Sequence, residues 1–420
     1  MARRRCNDIE SAHADKKKSA AEKQKVIDRS QYPLFSIIVL CYKNADLLYG
    51  MLNTIFMQDY PRMQLIVSDD GSGDFDVAKV QAYIDERKTD DFEQILVLKN
   101  AENSGTVKHI HKVLQQATGE YVIFTAADDR FNTDDVVSNY VAAFQKNPEA
   151  KWLVARCCIT TADYQKTIYI TPTDEDAPYF RVGNAQRLFS RWSRRGMAIP
   201  CCMAFKREAF DLVGGIDLDY QYLEDWPLVL KLLRNGYAPI YFEKTTACHS
   251  AGGVTNSNDR YGVKIRKAFY DDKYLLFRKE VEPYQELILP EDQESRKKYI
   301  KTIMDRSYFL DIEYQAASIA AKLKATLKNP KHFFWALEFE YMKRRDKVQR
   351  KKMVAISQAL FLLCFLFLQF EGSFVLEVIF RTMGILDLAA GLLLFICGLV
   401  TYPMELFFRF KARERRKLVN

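Results

Sequence analysis

An α/β fold is predicted here: a mostly parallel, Rossmann-like sheet, then a charged helical region, then a C-terminal two-helix membrane hairpin. Three observations predict it. Between residues 34 and 260, short apolar runs alternate with segments of helical periodicity, the pattern of strands joined by crossover helices. Two of those runs end in adjacent carboxylates, Asp69-Asp70 and Asp128-Asp129. Near the end lie two long stretches with almost no charge, each close to the length that crosses a bilayer.

The chain has 420 residues, 48% hydrophobic and 28% charged, enough for two or three domains and too apolar for general disorder. The formal net charge of +8 sits largely at the ends, which argues against a nucleic-acid-binding surface. Nine cysteines include the adjacent pairs Cys157-Cys158 and Cys201-Cys202, with no C-x-x-C and too few histidines for zinc-finger spacing. Reduced thiols in a cytosolic compartment are therefore expected rather than disulfides. Arg3, Arg4 and Arg5 are followed by no apolar core, so no secretory signal is expected.

Residues 1–33 read as a charged N-terminal arm. Phe35 to Leu40 is a buried strand, and Asn44 is placed to cap a helix carrying Leu47, Leu48, Met51, Leu52, Ile55 and Phe56 at helical spacing. Pro61 ends that segment. Gln64 to Ser68 is a second strand, followed by a helix over Asp76 to Arg87 and a third strand at Ile95 to Leu98. Asn103-Ser104-Gly105-Thr106 opens a helix running to Gln116, and Tyr121 to Phe124 is the strand that delivers Asp128 and Asp129. In an open α/β sheet, strand ends share one edge, where ligands bind. Carboxylates there suit a hard cation, Mg²⁺ or Mn²⁺, that also holds a substrate diphosphate. A single acidic pair reads equally well as a solvated strand end; two on one edge carry more weight.

Lys151 to Ile159 is a further strand, and Thr160 to Arg181 an irregular stretch of a length that often covers a binding site. Arg191 to Arg195 reads as a solvated helix end or as a phosphate contact. Gly214-Gly215 marks a tight turn. Glu224 and Asp225 open a helix with Pro227 in its first turn; the plain reading is dipole stabilisation worth about 0.3–1 kcal/mol. Ile240 to Glu243 is a short strand before His249. Residues 261–352 are helical in pattern and highly charged. Met353 to Phe370 carries no charge and would be about 27 Å long as a helix. Leu386 to Tyr402 carries only Asp387, and the segment 407–420 is basic. Basic flanks at both outer ends of a hairpin over 353–406 place the preceding domain and the tail on the cytoplasmic side of the cell membrane, in contact with membrane lipids. Lying in the interface is the rival arrangement.

Four motifs in order, Leu40-Cys41-Tyr42-Lys43-Asn44, Val67-Ser68-Asp69-Asp70-Gly71-Ser72, Asn103-Ser104-Gly105 and Ala127-Asp128-Asp129, make the segment from Phe35 to about Asn258 resemble glycosyltransferase family 2. The resemblance implies a GT-A fold over residues 34–260. It also implies an inverting, metal-dependent transferase that takes a nucleotide-diphosphate sugar. Carried over residue by residue, Cys41, Tyr42 and Asn44 line the nucleotide pocket. Asp69 and Asp70 contact the base, chiefly through Asp70, and Gly105 lets backbone approach the nucleotide. Asp128 and Asp129 form the motif that binds metal and ribose, and His249 joins the metal or the diphosphate. Asp225 is the catalytic base, with Glu224 shaping the acceptor site. Position 126, where many members have a further Asp, is Ala126 here. The membrane hairpin suggests a saccharide or lipid-linked acceptor in surface polysaccharide assembly. The alternatives are a polyprenyl-phosphate sugar transferase, whose acceptor needs no strong base, and a catalytically silent nucleotide-sugar binding membrane protein.

Overall fold

In the computed structural model the described residues are 28–251 and 260–314. The apolar runs that lead the domain become β1 (Phe35–Cys41), β2 (Met63–Asp69) and β4 (Tyr121–Ala126), interleaved with α1 (Ala45–Phe56), α2 (Val77–Arg87), β3 (Phe92–Lys99) and α3 (Thr106–Leu114). β2 is buried throughout and β1 nearly so, as parallel strands covered on both faces must be. Pairing is parallel from β3 through β2 and β1 to β4. β3 lies at the sheet's edge and carries exposed Glu93 and Gln94, which keep an open edge from pairing elsewhere. Leu48, Met51, Leu52, Ile55 and Phe56 bury one stripe of α1.

After β4 the sheet changes character. β5 (Asp129–Phe131), α4 (Val136–Lys146), β6 (Trp152–Thr160), β7 (Thr167–Thr171), α5 (Ala177–Val182) and α6 (Ala185–Trp192) precede β8 (Met203–Lys206) and α7 (Glu208–Leu212). α8 (Asp225–Arg234), β9 (Ile240–Ser250), α9 (Arg260–Leu276) and α10 (Pro290–Tyr314) follow. The nine-stranded sheet runs β3-β2-β1-β4-β8-β6-β9-β5, with β7 paired to β6 off that path. β8 is antiparallel to both β4 and β6, β5 is antiparallel to β9, and only β6 and β9 restore a parallel pair. The sheet is thus mixed, and the expectation of a mostly parallel one holds for its first half.

Three further expectations are corrected. The strand expected over Ile240 to Glu243 continues to Ser250, because register with β6 persists through Thr160↔Ser250. The stretch from Thr160 to Arg181 is not irregular: it holds β7 and α5. Asn44 stands at the N-cap position of α1 but makes no cap bond. Its side chain instead accepts the Tyr42 N–H at 3.0 Å, tightening the turn after β1.

The core is one cluster rich in large aromatics, among them Trp152, Trp192, Phe180 and Phe205. Tyr121 stacks on Phe144 with ring centroids 4.7 Å apart. The run Arg191 to Arg195 is neither a solvated helix end nor a free phosphate ligand. Arg191 is buried, and Arg195 donates to both oxygens of the buried Asp176 at 2.7 Å. Of the described residues, 28–251 and 264–310 belong to one compact unit, and 260–263 and 311–314 to the other. Among the described residues no helix is long and apolar enough to cross a membrane; the expected hairpin over 353–406 and the tail over 407–420 lie outside them.

Candidate functional site

The first acidic pair closes the turns that follow β2 and β3. Asp69 is fully buried and accepts from the Ser72 backbone N–H at 2.7 Å and the Ser72 hydroxyl at 2.6 Å. One oxygen of Asp70 accepts from the Ser104 N–H, the Ser104 hydroxyl and Asn100 Nδ2, at 3.0, 2.7 and 2.8 Å. Its other oxygen accepts from the Gly105 N–H at 2.9 Å. Burial raises the Asp70 carboxyl, but these donors outweigh it and hold the group below its ordinary range. The second oxygen, with one donor, keeps acceptor capacity for a ligand; Asp69 serves the turn. Gly105 has φ +87°, a conformation costly for other residues, and caps α3 without a side-chain bond.

The turn after β1 is tied to this loop. Lys43 has φ +55° and its N–H donates to the Ser72 hydroxyl at 2.8 Å, while the Asp70 N–H donates to the Cys41 carbonyl at 2.9 Å. Burial, with the Asp69 and Asp128 charges nearby, pushes the Cys41 thiol well up. Cys41, Tyr42, Asp69, Asp70 and Gly105 therefore stand on adjoining turns at one sheet edge.

The second pair divides its labour. Asp129 opens β5, and the β5–β9 register places it opposite His249. One Asp129 oxygen contacts His249 Nδ1 at 2.7 Å. The other accepts from the Ala126 N–H at 2.7 Å and the Thr125 hydroxyl at 3.0 Å. Burial lowers the His249 imidazole, but the Asp129 hydrogen bond and charge and the Asp128 charge more than offset it, leaving it raised. Burial, then the Asp129 charge, raises Asp128, whose backbone carbonyl accepts the Tyr164 hydroxyl at 2.7 Å. Arg130 lies over the Tyr164 ring, 4.8 Å from its centroid, and fills the space left by Gly50.

Asp129, Cys201 and His249 bring ligand atoms within 4.8 Å of one another. With Nδ1 of His249 engaged by a carboxylate, Nε2 is the nitrogen left to bind a cation, the arrangement that orients metal-bound histidines. Burial and neighbouring negative charge raise the Cys201 thiol far above its usual range, though its hydrogen bond with Cys157 lowers it, so it stands there as a neutral thiol. The donor chemistry, carboxylate with imidazole, fits Mn²⁺ and less readily Mg²⁺.

Glu224 and Asp225 stand at the start of α8, both partly buried. Burial lifts Asp225 to about 6. Burial and the Asp225 charge lift Glu224 to about 8. One Asp225 oxygen accepts the Trp226 N–H at 2.7 Å, which leaves its second oxygen for a substrate. The segment before α8 reaches the nucleotide turns: the Val107 N–H meets the Gln221 carbonyl at 3.5 Å. Sequence reasoning missed Tyr164, Cys201 and Ser72. Ser72 sits inside a quoted motif; nothing in the sequence brings Tyr164 and Cys201 to the acidic edge, because strand pairing does so.

Comparison with known proteins places these features in a family frame. A curated relative, the putative teichuronic acid biosynthesis glycosyltransferase TuaG of Bacillus subtilis, is 33% identical over 104 residues, 24% of this chain and 38% of its own length. The PGL/p-HBAD biosynthesis glycosyltransferase of Mycobacterium bovis is 26% identical over 230 residues, 54% of this chain and 80% of its own. Among solved structures, a mannosyltransferase from Pyrobaculum calidifontis in complex with GDP-Man and Mn²⁺ superposes with a TM-score of 0.45 at 18% identity, covering 80% of this chain and 94% of that one. Residues 36–214, the stretch that holds both acidic strand ends, match the family model described as Glycosyl transferase family 2.

Proposed function

We propose that the protein is an inverting glycosyltransferase. It would move a sugar from a nucleotide-diphosphate donor to a hydroxyl of a saccharide acceptor, itself lipid-linked, in surface polysaccharide assembly. The observation that carries this reading is convergence. The family-matched turns with Asp70 and Gly105 and the Asp128–Asp129–His249 group follow strands of one sheet edge, and the segment leading to Glu224–Asp225 meets the start of α3 through Gln221. The teichuronic acid biosynthesis in the name of the Bacillus subtilis relative supports the polysaccharide context. The uncharged run over 353–370 supports a membrane location, and the basic flanks at both outer ends of the 353–406 hairpin support a catalytic domain on the cytoplasmic side.

Asp225 acts through its unoccupied oxygen. It accepts the acceptor hydroxyl's proton as that oxygen attacks the anomeric carbon. The carbon–oxygen bond to the diphosphate breaks, and its electron pair leaves with the nucleoside diphosphate. Glu224, protonated at neutral pH, can donate a hydrogen bond to the acceptor. Cys41, Tyr42, Asn44 and Asp70 hold the nucleotide, with Gly105 beside it, and Asp128 takes the ribose. Asp128 and His249 Nε2 would hold a divalent cation, with Asp129 fixing the imidazole or joining as a ligand. Bound there, Mn²⁺ or Mg²⁺ would supply charge neutralisation on the departing diphosphate.

The test is donor consumption by membranes containing the full chain, offered a panel of UDP- and GDP-sugars with Mn²⁺ or Mg²⁺, beside the Asp225→Asn variant. Turnover of one donor, lost in the variant and on chelation, is the expected result. Cation-dependent donor binding without turnover would replace this reading with a silent binding protein, the reading that Ala126 favours. Turnover onto polyprenyl phosphate that survives Asp225→Asn would replace it with a phosphate-acceptor transferase.

A further inference from the structure

α8 begins without a side-chain cap of its own: Glu224 occupies the N-cap position and makes no cap bond. The backbone leading into it, from Gln221 to Leu223, would therefore be free to shift the first turn, and Asp225 with it. The segment is held instead from a distant helix. Asp272, on α9 and only 6% exposed, accepts three consecutive backbone N–H groups. Gln221 donates to its two oxygens at 3.1 and 2.9 Å, Tyr222 at 2.6 Å and Leu223 at 3.1 Å. Three amides converging on one carboxylate form an anion-holding concavity built here by the protein for its own side chain, and bonds to an ionised acceptor are the stronger kind.

We propose that Asp272 is a positioning residue for Asp225: by clamping the amides of residues 221–223 it fixes where the base stands relative to the nucleotide turns. Two observations beyond the clamp agree. The Gln221 carbonyl meets the Val107 N–H at 3.5 Å, so the clamped segment also abuts the start of α3 beside Gly105. The next residue on α9, Lys273, reaches the first turn of α8, its ammonium 6.0 Å from the Trp226 ring centroid and closer to Phe269 and Tyr270. α8 and α9 are separate helices with β9 between them in the chain, so the base would stand at the start of one helix and be aimed from another.

The inference rests on Asp225 being the base, and the experiment separates the two. Asp272→Asn, Asp272→Glu and Asp225→Asn are compared with the unaltered full chain in membranes. Amide exchange over residues 221–225 is followed together with kcat and donor KM for whichever UDP- or GDP-sugar the unaltered protein consumes. The expected result for Asp272→Asn is exchange at residues 221–223 faster by about tenfold and kcat lower by about tenfold to a hundredfold, as a small misplacement of a reacting group costs, with donor KM within about twofold. Asp272→Glu, which keeps the charge, should fall between and serves alone if the Asn variant does not fold. Unchanged exchange, or a kcat that falls only with the folded fraction, overturns the positioning role. Full turnover in Asp225→Asn overturns the base assignment; the positioning role then falls with it, even where faster exchange in Asp272→Asn shows the clamp itself. Absence of turnover in every protein overturns both, leaving the clamp as a structural contact.

Discussion

Asp225 is a carboxylate made basic by its surroundings. Burial raises it to about 6, nearer to a working pH than an ordinary Asp, and a base must be ionised to act. Activity should therefore rise with pH through about 6 and fall about tenfold per unit below it. A kcat–pH profile flat down to pH 5 would exclude this residue as the base. Asp225→Asn should lower kcat by about 10²–10⁴-fold with folding retained, read by turnover beside a thermal melt. Cys158 is a second residue whose surroundings set its chemistry. A hydrogen bond from Cys248, its register partner on β9, outweighs burial and lowers its thiol to about 6. Burial with neighbouring thiols or negative charge pushes Cys41 and Cys157 well up. Among the described cysteines, Cys158 should thus be alkylated first by iodoacetamide at pH 7, since the thiolate is the nucleophile. Peptide mapping after brief exposure reads the order, and earlier loss of Cys41 would contradict it.

At the scale of elements, α5 and α6 are joined by charge as well as by apolar packing. Asp176, completely buried at the start of α5, binds Arg195 through both oxygens and lies 3.5 Å from Arg191 Nε on α6. Asp176→Ala would remove the carboxylate that Arg195 binds and leave Arg191 with Glu175 alone, at a cost of about 1–3 kcal/mol; chemical denaturation should show a midpoint lowered accordingly. Such a pairing is invisible in sequence, where Arg191 to Arg195 looks like a surface run. The elements of the first half were legible, because strands buried on both faces read as continuous apolar runs and α1 shows its stripe directly. β9 was not. Its second part, Lys244-Thr245-Thr246, is polar, and its continuation to Ser250 is held by register with β6 and β5 rather than by its own propensity. β7, Thr-Ile-Tyr-Ile-Thr, carries β-favouring alternation of its own but is only five residues long and sits among polar turns.

For the whole molecule, the candidate site was legible as a set of motifs and illegible as a set of contacts. The motifs, with the family resemblance they carry, singled out Asp70, Gly105, Asp128, Asp129 and Asp225 as candidates. That Asp129 meets His249, 120 positions away, follows from the pairing of β5 with β9, and that Cys201 lies beside both follows from the turn that leads into β8. Because the proposed cation ligands come from separate elements, adding Mn²⁺ to chelator-treated protein should raise the melting temperature as well as restore turnover, by mass action on the folded state. A melt unmoved by Mn²⁺ at millimolar concentration would count against the assignment of Asp128 and His249.

The position of β9 also bears on how the chain is made. Among the described residues it is the last strand in sequence, yet it lies inside the sheet, between β6 and β5. During synthesis, every strand through β8 emerges before it, so β5 and β6 wait with open edges until residue 250 has left the ribosome. The nascent domain is most exposed to aggregation in that interval, and a chain cut before Ile240 should accumulate as insoluble protein rather than as a smaller folded domain.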